Sequence, residues 1–262
     1  MLAVLLAIDA GNTQTHIGVF KGAQLTHQSR FATEDSATAD ELAVALRSAF
    51  ELGRVGLDAL DSCVVSCVVP RLDPEYMAMS ERYLGGACLM VGPGVKTGMP
   101  IRIERPRELG SDRLANAVAA HELVEGACVV VDFGTTINFD VVSGGGEYLG
   151  GVIAPGVEIS LEALTQRAAK LTKVELEAPG TVIGKTTEAC IQAGIVYGFA
   201  GQVDGISGRI ADELGEQPEF VATGGLAGTI VPFCASIDRV DELLTLTGLR
   251  LIHERNATAP AN

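Results

Sequence analysis

Two stretches decide the fold: Ala7-Ile8-Asp9-Ala10-Gly11-Asn12-Thr13 and Val130-Val131-Asp132-Phe133-Gly134-Thr135-Thr136. Each is an apolar run that ends in Asp-x-Gly and then in small hydroxyl or amide residues. A continuous apolar run is what a strand buried on both faces requires. Glycine lets the chain turn tightly and brings backbone N–H groups close to a ligand. The Asn and Thr side chains can then donate to phosphate oxygens, and the aspartate at the strand end can hold a cation or its water shell. One such turn occurs in many plain hairpins. Here there are two, offset by 132 − 9 = 123 residues in a chain of 262, so nearly half the sequence separates them. Two copies at equivalent places of a repeat predict two loops facing each other across a cleft and gripping a polyphosphate from both sides.

Working outward, strand and helix patterns alternate in the same order in both halves, which predicts an α/β fold. In the first half Leu2–Ile8 reads as a buried strand. Thr15–Phe20 and Gln24–Phe31 follow as strands around the Lys21-Gly22 turn. Thr38-Ala-Asp-Glu41 has capping-box spacing, with Leu42, Leu46 and Phe50 at helical intervals behind it. Ser62–Val69 reads as a strand, Asp73-Pro74 as a helix N-cap and first turn, and Ala87–Val91 as a short strand. The second half repeats this with strands at Ala127–Asp132, Ile137–Val142 and Glu147–Ile153. Helical stretches follow, then strands at Phe220–Thr223 and near Ile237–Val240, and a last helix around Leu243–Glu254. The expected division is residues 1–115 and 116–262, each a β-β-β-α-β-α unit.

Composition excludes several classes of function. Nineteen Lys and Arg stand against 33 Asp and Glu, a net charge of −14, so no basic stripe is available to track a nucleic-acid backbone. The seven apolar residues Leu2–Ile8 are too short to cross a membrane. They have no cationic lead, and Asp9 follows at once, which argues against a secretory signal. The six cysteines show no Cys-x-x-Cys pair and lie mostly in apolar runs; they read as small buried hydrophobes in a reducing, cytoplasmic setting. Gly92-Pro-Gly-Val-Lys96 lacks the Gly directly before Lys that a P-loop needs, and the four histidines are scattered without ligand spacing.

The paired loops resemble the phosphate motifs of the actin-like ATPase superfamily. Further stretches narrow the resemblance to the type III pantothenate kinases: Asp9–Thr13, Gly110-Ser-Asp-Arg113, Asp132–Thr135, Gly150-Gly-Val-Ile-Ala-Pro-Gly156 and Gly184-Lys-Thr-Thr187. Thr223-Gly-Gly225, Leu246-Thr-Gly-Leu249 and Glu254-Arg-Asn256 fit as well, so the resemblance runs through nearly the whole chain in order. It implies two tandem ribonuclease H-like domains with a cleft between them. The implied activity is transfer of the ATP γ-phosphate to the primary hydroxyl of pantothenate, the first step toward coenzyme A, by a homodimer.

Residue by residue, the resemblance implies that Asp112 is the catalytic base. Gly110, Ser111, Asp112 and Arg113 would bind the substrate, and Thr187 would reach it from the other subunit. Asp9, Ala10, Gly11, Asn12, Thr13, Gln14, Thr15, His16, Thr135, Gly224 and Gly225 become ATP contacts. Asp9 is assigned to Mg²⁺ through water or phosphate, and Asp132 to a monovalent cation, K⁺ or NH₄⁺. A carboxylate in the first helical turn beside Arg113 is expected to stay ionised, although the same residues equally read as a helix cap and a solvated partner. Ile103-Glu-Arg-Pro106 departs from the family's usual Tyr, acid, Asn and Pro; Ser111 stands for Ala, and Thr136-Ile-Asn138 replaces smaller or hydroxyl residues. Arg105 thus reads either as an added cation near the substrate or as a mark of weakened binding. The alternatives are a non-catalytic regulatory binding protein on the same fold and a kinase of another small alcohol.

Gly194, Gly198, Gly201, Gly205 and Gly208 recur at spacings of 4, 3, 4 and 3, one face of a helix. Five glycines cost on the order of 5 kcal/mol against alanine in a helix interior. Either another helix, such as the partner subunit's, offsets this by close approach, or the segment is two helices broken at the glycines.

Overall fold

The computed structural model describes residues 3–53, 56, 59–86, 88–167 and 174–257. Leu2 and Ala87, at the starts of two expected strands, and residues 258–262 of the polar tail lie outside the described residues.

The first unit contains strands β1 (Val4–Ala10), β2 (Gln14–Lys21) and β3 (Gln24–Ala32), helix α1 (Ala39–Gly53), strand β4 (Ser62–Cys67), helix α2 (Asp73–Tyr83) and strand β5 (Leu89–Met90). Its sheet runs β3-β2-β1-β4-β5, with β1 antiparallel to β2 and parallel to β4. Helix α3 (Ser111–Leu123) leads onward to β6 (Cys128–Phe133), β7 (Thr136–Val142), β8 (Tyr148–Pro155), α4 (Val157–Arg167) and α5 (Thr187–Leu214). β9 (Glu219–Thr223), the short α6 (Ala227–Ile230), β10 (Arg239–Val240) and α7 (Leu244–Ala257) complete the chain. The second sheet runs β10-β9-β6-β7-β8, the same order strand for strand, with β6 in the place of β1. The repeat read from the two Asp-x-Gly stretches is therefore a repeat of topology.

Each sheet has its own core. In the first, Leu6, Ile8, Ala10, Ile17 and Val19 meet Leu42, Leu46 and Phe50 of α1 and Tyr76 and Met79 of α2. In the second, Val129, Val131, Phe133, Ile137 and Phe139 meet Val196, Phe199, Ala200 and Val203 of α5. The capping box forms: Thr38 N donates to Glu41 Oε2 at 2.9 Å, and Glu41 N donates back to Thr38 Oγ1 at 3.4 Å. Glu75 of α2 adds a carboxylate to the same helix start, accepting from Ala39 N at 2.8 Å.

Three expectations change. Asp73 does not cap α2; Leu72 holds that position without a side-chain bond, and Asp73 is the first helical residue, where its charge still suits the helix dipole. The division is not a single cut at residue 115. One unit takes residues 1–99, 104–119 and 243–262, the other 100–103 and 120–242, because α7 packs on β1, β2 and β4. Gly248 explains how α7 fits there: a Cβ at this position would strike the backbone carbonyl of Ala115 in α3, so two helices approach closely where a glycine stands. Thr245 Oγ1 adds a hydrogen bond to the buried Asn116 Oδ1 at 2.7 Å. Finally, the glycine-rich segment is one continuous helix, α5, not two broken ones. Its buried side is Ala193, Val196, Ala200, Val203, Ser207 and Ile210, and the glycines face away from it. Among the described residues nothing lies within 4 Å of a Cβ built at Gly194, Gly198, Gly201 or Gly208.

Candidate active site

In the first unit, Asp9 is the penultimate residue of β1, half-buried, and the chain then turns through Gly11, whose N–H donates to Gln14 O at 3.1 Å. A Cβ on Gly11 would sit 3.0 Å from that same oxygen, so a larger residue would have to push the turn open by a few tenths of an ångström. Asn12 and Thr13 are exposed at its tip, and Thr13 O accepts from Thr33 N at 2.9 Å, which fixes the loop to the end of β3. The pleat then separates the residues of β2. Thr15, opposite Ala10, turns to the buried α1–α2 side and bonds Thr33 Oγ1 at 2.9 Å. His16, opposite Asp9, shares the aspartate's side of the sheet and pairs with Gln28 at 3.0 Å. Of the expected ATP contacts on β2, His16 shares the loop's side and the Thr15 hydroxyl is engaged elsewhere.

Register brings Asp112 to the same place. Asp9 and Ser66 are partners across the parallel β1–β4 pair. Ser66 is fully buried and its Oγ lies 2.9 Å from Ser111 Oγ, the first residue of α3. The Ser111 that replaces a smaller residue is thus the tie between strand and helix, and Asp112 follows it directly. Gly110 accepts from Leu114 N at 3.1 Å and so opens the helix; a Cβ there would collide with Asp112 Oδ1. Asp112 Oδ1 accepts from Arg113 N at 2.7 Å. Burial raises the Asp112 pKa above the ordinary aspartate value, against the smaller opposing pull of the Arg113 N–H and guanidinium. Desolvation thus outweighs the helix terminus and the arginine that favour the ionised form, and it makes Asp112 the stronger proton acceptor. Arg105 is committed to Glu108 at 3.0 Å in an exposed pair.

In the second unit Asp132 stands next to the end of β6, with Asn138 across β7 and Thr223 across β9. Gly134 N donates to Thr136 O at 3.1 Å, closing a turn that exposes Thr135. Two further glycines wall it in. Gly224 has φ +94°, and a Cβ there would lie 2.5 Å from Asp132 Oδ1 and 2.6 Å from Phe133 O. A Cβ on Gly156, just past β8, would strike the Thr135 carbonyl. Thr136 Oγ1 donates to Asn138 Oδ1 at 3.1 Å, so the departures at 136 and 138 form a bonded pair on the side of the strand that carries Asp132. Further along, Thr186 caps α5 by accepting from Ala189 N at 3.1 Å, and Thr187 opens the helix exposed to solvent. Among the described residues no three His, Cys, Asp or Glu side chains gather as a metal site. No helix among them is long and apolar enough to cross a membrane.

The sequence model of the type III pantothenate kinases matches residues 5–209. The chain is also 51% identical to the type III pantothenate kinase of Moorella thermoacetica, over 97% of this chain and all of that one. The chain belongs to the type III pantothenate kinase family. Among solved structures, it resembles a ROK hexokinase of Thermus thermophilus (TM-score 0.50, 18% identity, 96% and 98% of the two chains). It also resembles a Campylobacter jejuni protein described as a Baf family transcriptional activator (TM-score 0.59, 18% identity, 97% and 100%). At these identities the likeness shows the fold alone: α/β, with two tandem units. Membership in the type III pantothenate kinase family makes this an ATP-dependent small-molecule kinase. The sequence did not reveal how its parts are held. Ser66 and Asn116 carried no motif signal, because their partners Ser111 and Thr245 lie far away in sequence.

Proposed function

We propose that this enzyme transfers the γ-phosphate of ATP to the primary hydroxyl of pantothenate, with Asp112 as general base. The observation that supports it most is the Asp9–Ser66–Ser111–Asp112 connection, which sets a half-buried, proton-seeking carboxylate beside a phosphate-type loop. Asp112 takes the hydroxyl proton, the alkoxide oxygen attacks the γ-phosphorus, and the bond to the β-phosphate oxygen breaks to release ADP. Arg113 pairs with the substrate carboxylate. Asn12, Thr13 and Thr135, exposed on their turns, and Gly224 and Gly225 with their open backbone contact the nucleotide.

The donor sets suit the expected cations. Asp132 stands beside a space that a Cβ at Gly224 would fill, and Asp9 stands at the strand end before the Gly11 turn. Mg²⁺ would be held by Asp9 through water or phosphate, K⁺ or NH₄⁺ by Asp132, and bound cations would neutralise phosphate charge. A homodimer belongs to the same reading. Among the described residues nothing meets a Cβ at Gly194, Gly198, Gly201 or Gly208, and contact with a second copy would offset the cost of helical glycines. Thr187 would then act from the partner subunit. Gly198→Leu should abolish dimerisation and activity together; a variant that stays dimeric and active sinks the packing idea. A cytoplasmic setting suits the six free thiols.

The deciding assay is phosphate transfer from ATP to pantothenate with Mg²⁺, in K⁺ and again in Na⁺, beside Asp112→Asn. Turnover that needs K⁺ and collapses in the variant supports kinase, cation and base together. A folded dimer with no turnover on pantothenate sends the reading to another alcohol or to a regulatory role.

A further inference from the structure

Cys63 and Cys88 lie outside the site described above, yet they are placed with respect to each other in a specific way. Cys63 is the second residue of β4, and Cys88 immediately precedes β5. The parallel register pairs Val64 with Leu89 and Val65 with Met90; continued one step back, it sets Cys63 beside Cys88. Neighbouring strands lie about 4.8 Å apart, inside the Cα separation of roughly 4.4–6.8 Å that a disulfide spans. Both side chains belong to the same buried core, so the pleat turns them to the same side. Their sulfurs are 3.0 Å apart.

The two sulfurs are unequal. Burial and the neighbouring sulfur push the Cys63 thiol up and keep its proton on. Cys88 is drawn down, first by its contact with Cys63 and then by the Ser80 hydroxyl, which also accepts from Cys88 N at 3.0 Å. A cavity of about 180 Å³ reaches Cys63, whose sulfur touches that of Cys88, and is lined with it by Asp61, Leu84, Gly85, Gly86 and His253. A water molecule takes about 30 Å³ of liquid volume, so a small hydroperoxide fits.

We infer that Cys63 and Cys88 form a reversible redox couple that a hydroperoxide closes to an intramolecular disulfide and a dithiol reopens. The Cys88 thiolate attacks the peroxide oxygen; the O–O bond breaks, the alcohol or water leaves with a proton, and Cys88 becomes a sulfenic acid. The Cys63 sulfur then attacks the Cys88 sulfur, its proton leaves with the hydroxyl as water, and the S–S bond forms. The sum is two thiols and one hydroperoxide giving one disulfide, one alcohol or water, and one water. A dithiol reverses it by thiol–disulfide exchange. The pairing of β4 and β5 covers two residues. The disulfide therefore adds a covalent rung below the Val91 N–H to Val65 O bond of 2.8 Å.

The test uses the full chain, reduced with dithiothreitol, freed of it, and exposed to hydrogen peroxide near stoichiometry. The expected result is loss of two of the six thiols, a Cys63–Cys88 linked peptide by mass spectrometry, slower hydrogen exchange at Val91, and recovery of all six with dithiothreitol. Cys63→Ala and Cys88→Ala should each prevent the link, and Cys128→Ala should not. Should either variant fail to fold, the linked peptide from the unmodified chain decides. Six thiols retained, a link between other cysteines, or sulfinic acid on Cys88 with Cys63 still free would each overturn the inference.

Discussion

Ser66 and Ser111 join the phosphate loop's neighbouring strand to the helix that carries Asp112, so the energetics of their one hydrogen bond can be separated from its geometry. Ser111→Ala leaves the fully buried Ser66 hydroxyl without its partner. A buried polar group stranded this way costs about 1–3 kcal/mol, which puts the variant near 2 kcal/mol. Ser66→Ala is milder, about 1 kcal/mol, because Ser111 Oγ still faces Cys67 O at 3.4 Å and can shorten that contact. Removing both hydroxyls strands neither, so the double variant should be near the unmodified protein, within about 1 kcal/mol. The coupling across the cycle is then about 2 kcal/mol. Urea unfolding of the four proteins measures it. The single variants should also lose turnover, since α3 is no longer tied at Ser66, with KM for ATP changed least. Additive losses in the double variant would refute the pairing, as would a Ser111→Ala protein as stable as its parent.

Three other outcomes follow from the same geometry. Burial raises the Asp112 pKa, so the acid limb of the rate profile should lie above that of an exposed aspartate, and Arg113→Gln should move it higher still. For stability the sign reverses. A raised carboxylate favours folding while protonated and loses that contribution as pH climbs through the folded pKa, so Asp112→Asn at neutral pH should be inactive yet no less stable. Gly224→Ala forces a Cβ at φ +94° against Asp132 Oδ1 and Phe133 O; a loss of about 2–4 kcal/mol, seen as a lowered melting temperature, is expected. Gly248→Ala drives α7 off the Ala115 carbonyl and should cost about 1–3 kcal/mol, while Leu249→Met in the same helix should cost less.

Much of the fold was legible because it is written locally. The apolar runs ending at Asp9 and Asp132, the Thr38–Glu41 capping box and the turn at Gly22 all fall within a few residues of the features that specify them. The offset between the Asp-x-Gly stretches foretold the shared sheet order. What stayed hidden depends on pairs distant in the chain. Thr15 and His16 are adjacent letters, and the pleat sends them to opposite sides. Ser111 read as a bare departure until register placed Ser66 beside it. The first helical residue of α2 was mistaken for its cap because Asp-Pro suits both positions. Nor does the sequence reveal that Arg105 pairs with Glu108, three residues on.

The return of α7 to the first sheet has a bearing on biosynthesis. During translation β1 to β5 leave the ribosome early, but the helix that covers β1, β2 and β4 begins at Leu244, well over a hundred residues later. From Met90 to Leu244 is 244 − 90 = 154 residues, so at about 5–20 residues per second the wait is roughly 8–31 s, during which that side of the nascent sheet lacks α7. The second unit's main segment, residues 120–242, is continuous and meets no such delay. The unit made first is therefore finished last, and that exposed sheet face is where a chaperone would find this chain.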